Sequence, residues 1–382
     1  MATPRVSFLM LCERCARYFK LSFKKLFRHK DLDLSRHEDT VMNSLDSNLV
    51  PHSELENFRR VALITLAAVY FLIAVGAGVR ASGAGMGCPD WPTCFGQWVP
   101  PTSESDLPRN YQEIYADLGY ADTRFNVVKT WTEYVNRLIG VSIGLLIFTT
   151  ALFSWRLRRY DRSIFFASLT AFLMVGFQGW LGSKVVSSNL QPGMITVHML
   201  VALAIVGTLL FVLAQARRSI MVKQPVTAID LRVKRWLLIV LALSVLQIAM
   251  GTQVREMTDL IRDSQGEGAR SSWIEFMPWF FYVHRSFSAL LLFANLWLAK
   301  LLVSSIGWVH SLTRLTFLMI SVICLSVLSG ATLGHFGMPA FVQPTHLVAA
   351  AMLFGLQFLI WISFRHAEAN SPELRIKHAK LA

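Results

Sequence analysis

The sequence predicts an all-α polytopic membrane protein whose eight transmembrane helices form two tandem four-helix repeats, related by a pseudo-twofold axis along the membrane normal. Three observations predict this fold: an apolar composition, eight long apolar runs, and a set of motifs that occurs twice in the same order. Of 382 residues, 54% are hydrophobic and 16% are charged, with a mean hydropathy of +0.45. This composition is too apolar for an ordinary soluble domain.

Each apolar run is long enough to cross a bilayer, which takes about 20 residues of helix. The runs lack the alternation that is typical of transmembrane β-strands. We place the predicted spans at 60–79, 133–155, 164–184, 194–216, 235–254, 280–303, 313–333 and 341–363. The expected segments are an inside tail (1–59), an N-terminal repeat (60–216) with an outer loop (81–132), an inside linker (217–234), a C-terminal repeat (235–363) and an inside tail (364–382).

The distribution of charge argues against nucleic acid as a partner, although the net charge is +13. Basic residues concentrate in alternate segments, with four in 156–163, six in 217–235 and eleven before residue 61, whereas 81–132 has six acids and three bases. This is the positive-inside pattern of a protein in a lipid bilayer. It predicts that both termini lie inside and that the outer loops are 81–132, 185–193, 255–279 and 334–340.

The N-terminal tail contains C-E-R-C at Cys12 and Cys15, followed by a basic stretch. A zinc site would require two further ligands at suitable spacing. His29 and His37 are available, but they follow no familiar pattern. A basic amphipathic segment lying on the membrane surface is the alternative.

Three sequence motifs occur in both halves of the chain, in the same order. G-A-G-V-R ends span one at Arg80, and G-T-Q-V-R ends span five at Arg255. Y-V-N-R opens span two and Y-V-H-R opens span six, while T-V-H and P-T-H open spans four and eight. Because each half has an even number of spans, both halves have the same orientation in the membrane, as parallel repeats do.

Asn136, His198, His284 and His346 begin spans two, four, six and eight, all of which run from outside to inside. They are therefore expected at one depth, towards the outer face. The separation from Asn136 to His198 and from His284 to His346 is 62 residues in each half. Two histidines at one depth can hold a haem from both sides, and ionisable residues within spans are usually functional. A packed, hydrogen-bonded histidine is the alternative for any single position.

Four arginines lie near the outer ends of the spans: Arg80, Arg137, Arg255 and Arg285. Guanidinium groups pair well with carboxylates such as haem propionates. The alternative is that these side chains extend to the membrane interface and anchor the helix ends.

Cys88 and Cys94 lie in the first outer loop, where oxidising conditions favour a disulfide. A small and accessible bridge could also be redox-active, and a thiol pair buried against haem is the alternative. Cys324, in span seven, is expected to be a core residue.

The run G-x-G-V-R-x-S-G-x-G-x-x-C-P-D-W-P-x-C-x-G-Q, over 76–97, resembles the haem A synthase family. The resemblance continues through E-Y-V-N-R, T-V-H, Y-V-H-R and P-T-H and covers about 60–363. It implies oxidation of the C8 methyl of haem O to a formyl group, which supplies haem A for cytochrome oxidase assembly. It also implies a resident haem b held by His284 and His346, with Arg255 and Arg285 near its propionates. Haem O is the implied substrate of the N-terminal half, near His198, Asn136, Arg80 and Arg137.

Asn136 departs from the family pattern, which has histidine at this position. An asparagine is a poor iron ligand, so His198 alone would leave an open coordination position at the substrate iron. Degeneration of the site and a lineage variant with another ligand are the alternatives. Glu133 shares a helix face with Asn136, and its implied role is to move protons or stabilise a cationic intermediate. The alternative is a helix-start acid without chemistry.

The sequence also leaves alternatives for function. A haem-binding electron carrier or a haem transporter or chaperone would use the same histidines without substrate oxidation. Haem O synthase and the terminal oxidase assembly machinery are the expected partners, and the sequence identifies no electron donor. A bacterial plasma membrane is the favoured location, with the mitochondrial inner membrane as the alternative.

Overall fold

Long helices make up nearly all of the regular structure in this computed structural model, which describes residues 52–217, 231–306 and 311–369. These residues belong to one unit, Val50–Ala382. The long helices are α1 (His52–Ala81), α2 (Val127–Leu157), α3 (Arg162–Ser187), α4 (Pro192–Ala216), α5 (Leu231–Gln265), α6 (Trp279–Ile306), α7 (Ser311–His335) and α8 (Val342–Ala369).

The predicted all-α membrane fold is confirmed. Seven predicted spans lie inside a helix and the eighth begins one residue before α8. All eight helices are long and apolar enough to cross a bilayer, so the chain is an integral membrane protein. A helix satisfies its own backbone hydrogen bonds, which lipid cannot do. The described residues contain no β-strand.

Local signals in the sequence set several helix starts. The Asn126 side chain accepts a hydrogen bond from the Lys129 backbone N–H at 3.0 Å, which caps α2. The Asp161 side chain accepts one from the Ser163 N–H at 2.8 Å and caps α3. Pro192 begins α4, where its missing N–H costs no helical bond.

Helix α5 differs from its prediction, because it continues eleven residues beyond the apolar run that ends at residue 254. Its last three turns carry Arg255, Asp259 and Arg262, which pair with one another at helical spacing. These charges end the hydropathy signal but do not interrupt the backbone hydrogen bonds. The segment 255–279 is therefore largely helical, with a 3₁₀ stretch over Glu267–Phe276.

The buried apolar residues form two large cores. One core is built from α1–α4 and includes Phe58, Ile147 and Leu209. The other is built from α5–α8 and includes Leu237, Leu298 and Ile323. Helices α4 and α8 are the most buried and lie between the two cores.

One expectation, for Cys324, was wrong, and another, for the N-terminal tail, falls outside the described residues. Cys324 is exposed on the outside of the helices, so its prediction as a core residue was wrong. A span is apolar on its lipid-facing side as well as its packed side, and hydropathy therefore cannot assign burial in a membrane. The tail residues Cys12, Cys15, His29 and His37 lie outside the described residues, as do 218–230 and 370–382.

Candidate functional site

The structure brings His284 and His346 together. Each lies in the second turn of its helix, α6 or α8, and their ring centroids are 6.4 Å apart with an angle of 79° between the ring planes. The His346 Nδ1 lies 2.9 Å from the Ser326 carbonyl oxygen and 3.1 Å from the Ser329 hydroxyl oxygen. A proton on Nδ1 directs Nε2 to a metal, which is the usual arrangement around a metal-bound histidine.

The separation of the two rings fits one iron between them. Two metal–imidazole bonds of about 2 Å each, with about 1 Å from each nitrogen to its ring centre, span about 6 Å. The Nδ1 of His284 is buried without a hydrogen-bond partner among the described residues. Those residues contain no group of three or more His, Cys, Asp or Glu side chains that could hold a bare metal ion. The pair therefore suits a haem iron, for which the porphyrin supplies the remaining ligands.

The N-terminal half presents His198 and Asn136 in the corresponding places. The Nδ1 of His198 and the Oδ1 of Asn136 are both buried without a hydrogen-bond partner in the described part of the chain. The Gln178 amide on α3 donates to the His198 backbone oxygen at 3.0 Å, which ties α3 to α4 beside the ring. Buried polar atoms normally find partners, so these two side chains are available to a ligand.

Each of these four side chains faces a glycine on the neighbouring helix. A Cβ at the glycine would lie 3.0 Å from His346 Cε1 at Gly330, 3.2 Å from His284 Cε1 at Gly251, 3.6 Å from His198 Cε1 at Gly182, and 3.8 Å from Asn136 Oδ1 at Gly76. The absent Cβ gives His346 and His284 their space, whereas a Cβ at Gly182 or Gly76 would make an ordinary contact. Gly182 and Gly330 were not predicted from the sequence. They are 148 residues apart, as Asn136 and His284 are. This repeat spacing could have identified the two glycines in the sequence.

A polar bridge connects the two halves close to these sites. The hydroxyls of Thr196 on α4 and Thr252 on α5 lie 2.7 Å apart, and the Gln253 amide donates to the Thr196 oxygen at 3.0 Å. Thr196 lies two residues before His198, and Thr252 follows Gly251. The bridge therefore fixes the first turns of α4 against α5 between the two candidate sites.

Glu133 is buried at the start of α2 and holds the cysteine loop. Its Oε2 accepts a hydrogen bond from the Cys88 N–H at 3.0 Å, and its Oε1 pairs with Arg137. Arg137 also donates to the carbonyl oxygens of Asp90 at 2.7 Å and Thr93 at 2.9 Å. The structure thus uses both predicted site residues as an ionic clamp on the outer loop.

Cys88 and Cys94 form the disulfide that the sequence favoured. Both cysteines are completely buried, so the expectation of an accessible bridge was wrong. Gly87 explains the close contact, because a Cβ there would lie 2.3 Å from the Lys129 carbonyl oxygen at the start of α2. The loop is pressed onto the helix, and this contact covers the sulfur atoms.

The remainder of the loop packs around Phe95. Four aromatic rings meet its ring edge-on, at centroid distances of 5.4–6.1 Å: Tyr111, Tyr115, Tyr120 and Phe125. Tyr120 donates a hydrogen bond to the Met86 carbonyl oxygen, and burial raises the pKa of its hydroxyl. The loop is therefore a small folded cap above α2 with its own core.

The other predicted arginines divide into two groups. Arg80 and Arg255 both pair with Asp259, each at 2.7 Å, and Arg262 lies 3.3 Å from the same carboxylate. Arg285 is exposed and lies over the Tyr282 ring at 5.1 Å. Asp259 thus joins the ends of α1 and α5, and Arg262 also pairs with Asp263 at 2.9 Å.

Comparison with known proteins places these features in a family. The model of the family described as cytochrome oxidase assembly protein, COX15-CtaA, matches residues 59–358. A protein named heme A synthase from Shewanella oneidensis is 30% identical over 154 residues, which is 40% of this chain and 44% of that protein. A heme A synthase from Methylobacterium radiotolerans is 30% identical over 177 residues, 42% of this chain and 47% of that protein.

A third relative of the same name, from Methylobacterium sp. strain 4-46, is 28% identical over 207 residues, 50% of this chain and 56% of that protein. The chain thus aligns with about half the length of these curated relatives. The family match is longer and includes His198, His284 and His346. Because it also extends into all eight long helices, this chain belongs to the cytochrome oxidase assembly protein family, COX15-CtaA.

Proposed function

We propose that this protein is a haem A synthase, which oxidises the C8 methyl of haem O to a formyl group by successive hydroxylation. The gem-diol from the second hydroxylation loses water to give the aldehyde. The observation that carries the proposal is one facing histidine pair in the C-terminal half, beside a single histidine opposite an asparagine in the N-terminal half. Family membership and similarity to proteins named heme A synthase support it.

The C-terminal half is proposed to hold a resident haem b through His284 and His346. This haem supplies electron transfer when it is bound. The Ser326 carbonyl orients His346, and Gly251 and Gly330 leave room for the two rings. Arg255 and Arg285 are proposed to attract the propionates. Arg255 is held by Asp259, so the Arg285 guanidinium is the more available of the two.

The N-terminal half is proposed to bind haem O as substrate, with His198 on its iron and Asn136 on the opposite side. A neutral asparagine would leave that side open to peroxide, or to dioxygen with an electron donor, either of which supplies the oxygen atom and accepts the electrons of each hydroxylation. Arg80 and Arg137 are proposed to orient the propionates. Glu133 lies three residues before Asn136 and is proposed to assist the oxidation while it is held by Cys88 and Arg137. Its contacts with Cys88 and Arg137 support a positioning role first.

The two halves are proposed to be parallel repeats related by a pseudo-twofold axis along the membrane normal. The separate cores of α1–α4 and α5–α8 support this arrangement. So do the four side chains that each face a glycine at matched spacing. Because the basic segments are expected on the inner side of the membrane, both termini are proposed to lie on that side. The membrane is proposed to be a bacterial plasma membrane. The candidate sites then lie towards the outer face. Haem O synthase and oxidase assembly factors are the proposed partners.

Product analysis tests the proposed activity. We expect that expression in a host that makes haem O but no haem A will yield haem A or its hydroxymethyl precursor. The membrane haems would be extracted, separated by chromatography and identified by mass. The double variant His198→Ala/Asn136→Ala is the matched control, and it should leave haem O unchanged. Unaltered haem O with the native chain would contradict the proposal and favour a carrier or a chaperone.

Adding one methyl group tests the glycine contacts. We expect Gly330→Ala to weaken or shift the low-spin b-type absorption, because its Cβ would lie 3.0 Å from His346 Cε1 and displace the ring by a few tenths of an ångström. Gly176→Ala is the control, since a Cβ there meets nothing within 4 Å. Both changes raise helix propensity by about 1 kcal/mol. Identical spectra for the two variants would contradict the role of Gly330.

A further inference from the structure

An apolar groove lies between the outer ends of α1 and α2. It has a volume of about 680 Å³, and its walls include Val75 and Gly78 from α1 and Trp131, Thr132 and Val135 from α2. The volume is within the range of about 300–1,000 Å³ that is typical of small-molecule sites. Nearly all of its surface is apolar, so its occupant is a hydrocarbon rather than a charged group.

The residues that line the groove are sequence neighbours of the N-terminal candidate site, although neither Gly76 nor Asn136 lines it. Val75 precedes Gly76 on α1, and Val135 precedes Asn136 on α2. Gly76 and Asn136 face each other across the two helices. At its other side the groove opens to the surroundings of the helices, since Val128 is 71% exposed and Val135 is 44% exposed. A ligand bound beside Asn136 could therefore extend a flexible apolar substituent through the groove towards the lipid.

Several matched positions in the C-terminal half carry larger side chains, whereas Trp131 and Val135 are matched by Trp279 and Val283. At the repeat spacings, Gln253 corresponds to Gly78, Phe276 to Val128 and Phe280 to Thr132. Gln253 is also committed to a hydrogen bond with Thr196. The repeat relationship alone would predict the same lining residues in both halves. The smaller residues that leave the groove open are therefore specific to the N-terminal half.

Haem O and haem b differ mainly in a long isoprenoid tail, which haem O carries and haem b lacks. We propose that the α1–α2 groove binds the isoprenoid tail of haem O, and that the larger residues at the matched positions exclude this tail from the C-terminal half. The two halves would then select different haems by the shape of their apolar walls. This inference rests on the proposed function, because that function supplies the occupant.

Binding of two haems to the purified protein, with its co-purified haem in place, tests the inference. We expect the native chain to bind added haem O at least about tenfold more tightly than added haem B, since burying roughly two methylene groups is enough for this ratio. Gly78→Leu and Thr132→Phe fill the groove, and each should reduce the ratio to about one. The affinity for haem B should change by less than about twofold.

Gly176→Leu on α3 is the matched control, because Gly176 also has open space around it but does not line the groove. This variant should keep the native preference. A preference that survives Gly78→Leu and Thr132→Phe, or equal native affinity for both haems, would overturn the groove assignment and indicate a groove filled by bilayer acyl chains. Failure of the native chain to bind either haem would instead contradict the proposed function, and the groove proposal with it.

Discussion

Replacing His284 or His346 with alanine is expected to remove the low-spin b-type haem from the purified protein. The two rings face each other at the distance that one iron requires, so either substitution leaves an iron with a single protein ligand. The measurement is the reduced-minus-oxidised absorption spectrum, together with the number of haems per chain. We expect the low-spin band to disappear and the haem content to fall by about one equivalent.

His335→Ala is the matched control, because His335 is exposed at the end of α7 in the same half. It should keep the full band. His198→Ala should also keep the b-type band, since His198 belongs to the other half. Full retention of the band after loss of His284 or His346 would remove the resident haem assignment. Loss of the band in His198→Ala would place the low-spin haem in the N-terminal half.

The fold was predictable from the sequence because the bilayer constrains it so strongly. Eight apolar runs of sufficient length could only become helices. His198, His284 and His346 lie in the second turn of their helices, whereas Asn136 lies nine residues after the start of α2 at Val127. The end of α5 was not predictable from hydropathy, because its final turns are held by Arg255, Asp259 and Arg262. Their spacing of three and four residues carried the missing signal.

The site was only partly predictable, because its ionic contacts join distant segments. The close approach of His284 and His346 followed from their matched depths on two helices of the same half. The contact of Arg80 with Asp259 joins residues that are 179 positions apart, and no local pattern indicates it. The family resemblance predicted that Glu133 moves protons or stabilises a cationic intermediate during the oxidation. Its hydrogen bond to the Cys88 amide depends on how the loop folds back onto α2.

Replacing Glu133 with glutamine is expected to loosen the outer loop and lower the stability of the protein. The side chains of Glu133 and Arg137 are only 5% and 12% exposed, and removing one partner of such a pair costs about 3–5 kcal/mol because the other charge stays buried. The measurements are thermal unfolding of the purified protein and tryptic cleavage after the exposed loop residues Arg109 and Arg124. We expect a lower melting temperature and faster cleavage.

The double variant Glu133→Gln/Arg137→Met separates the two roles of Glu133. It removes both charges, so most of the lost stability should return, whereas the exposed control Glu113→Gln should behave like the native chain throughout.

If Glu133→Gln leaves melting and cleavage unchanged, the clamp is not what holds the loop. Loss of haem A formation in that stable variant would then assign the carboxylate to the chemistry at the substrate. Parallel loss of stability and product would assign it to the loop, whose contact with the first turns of α2 keeps Asn136 in place.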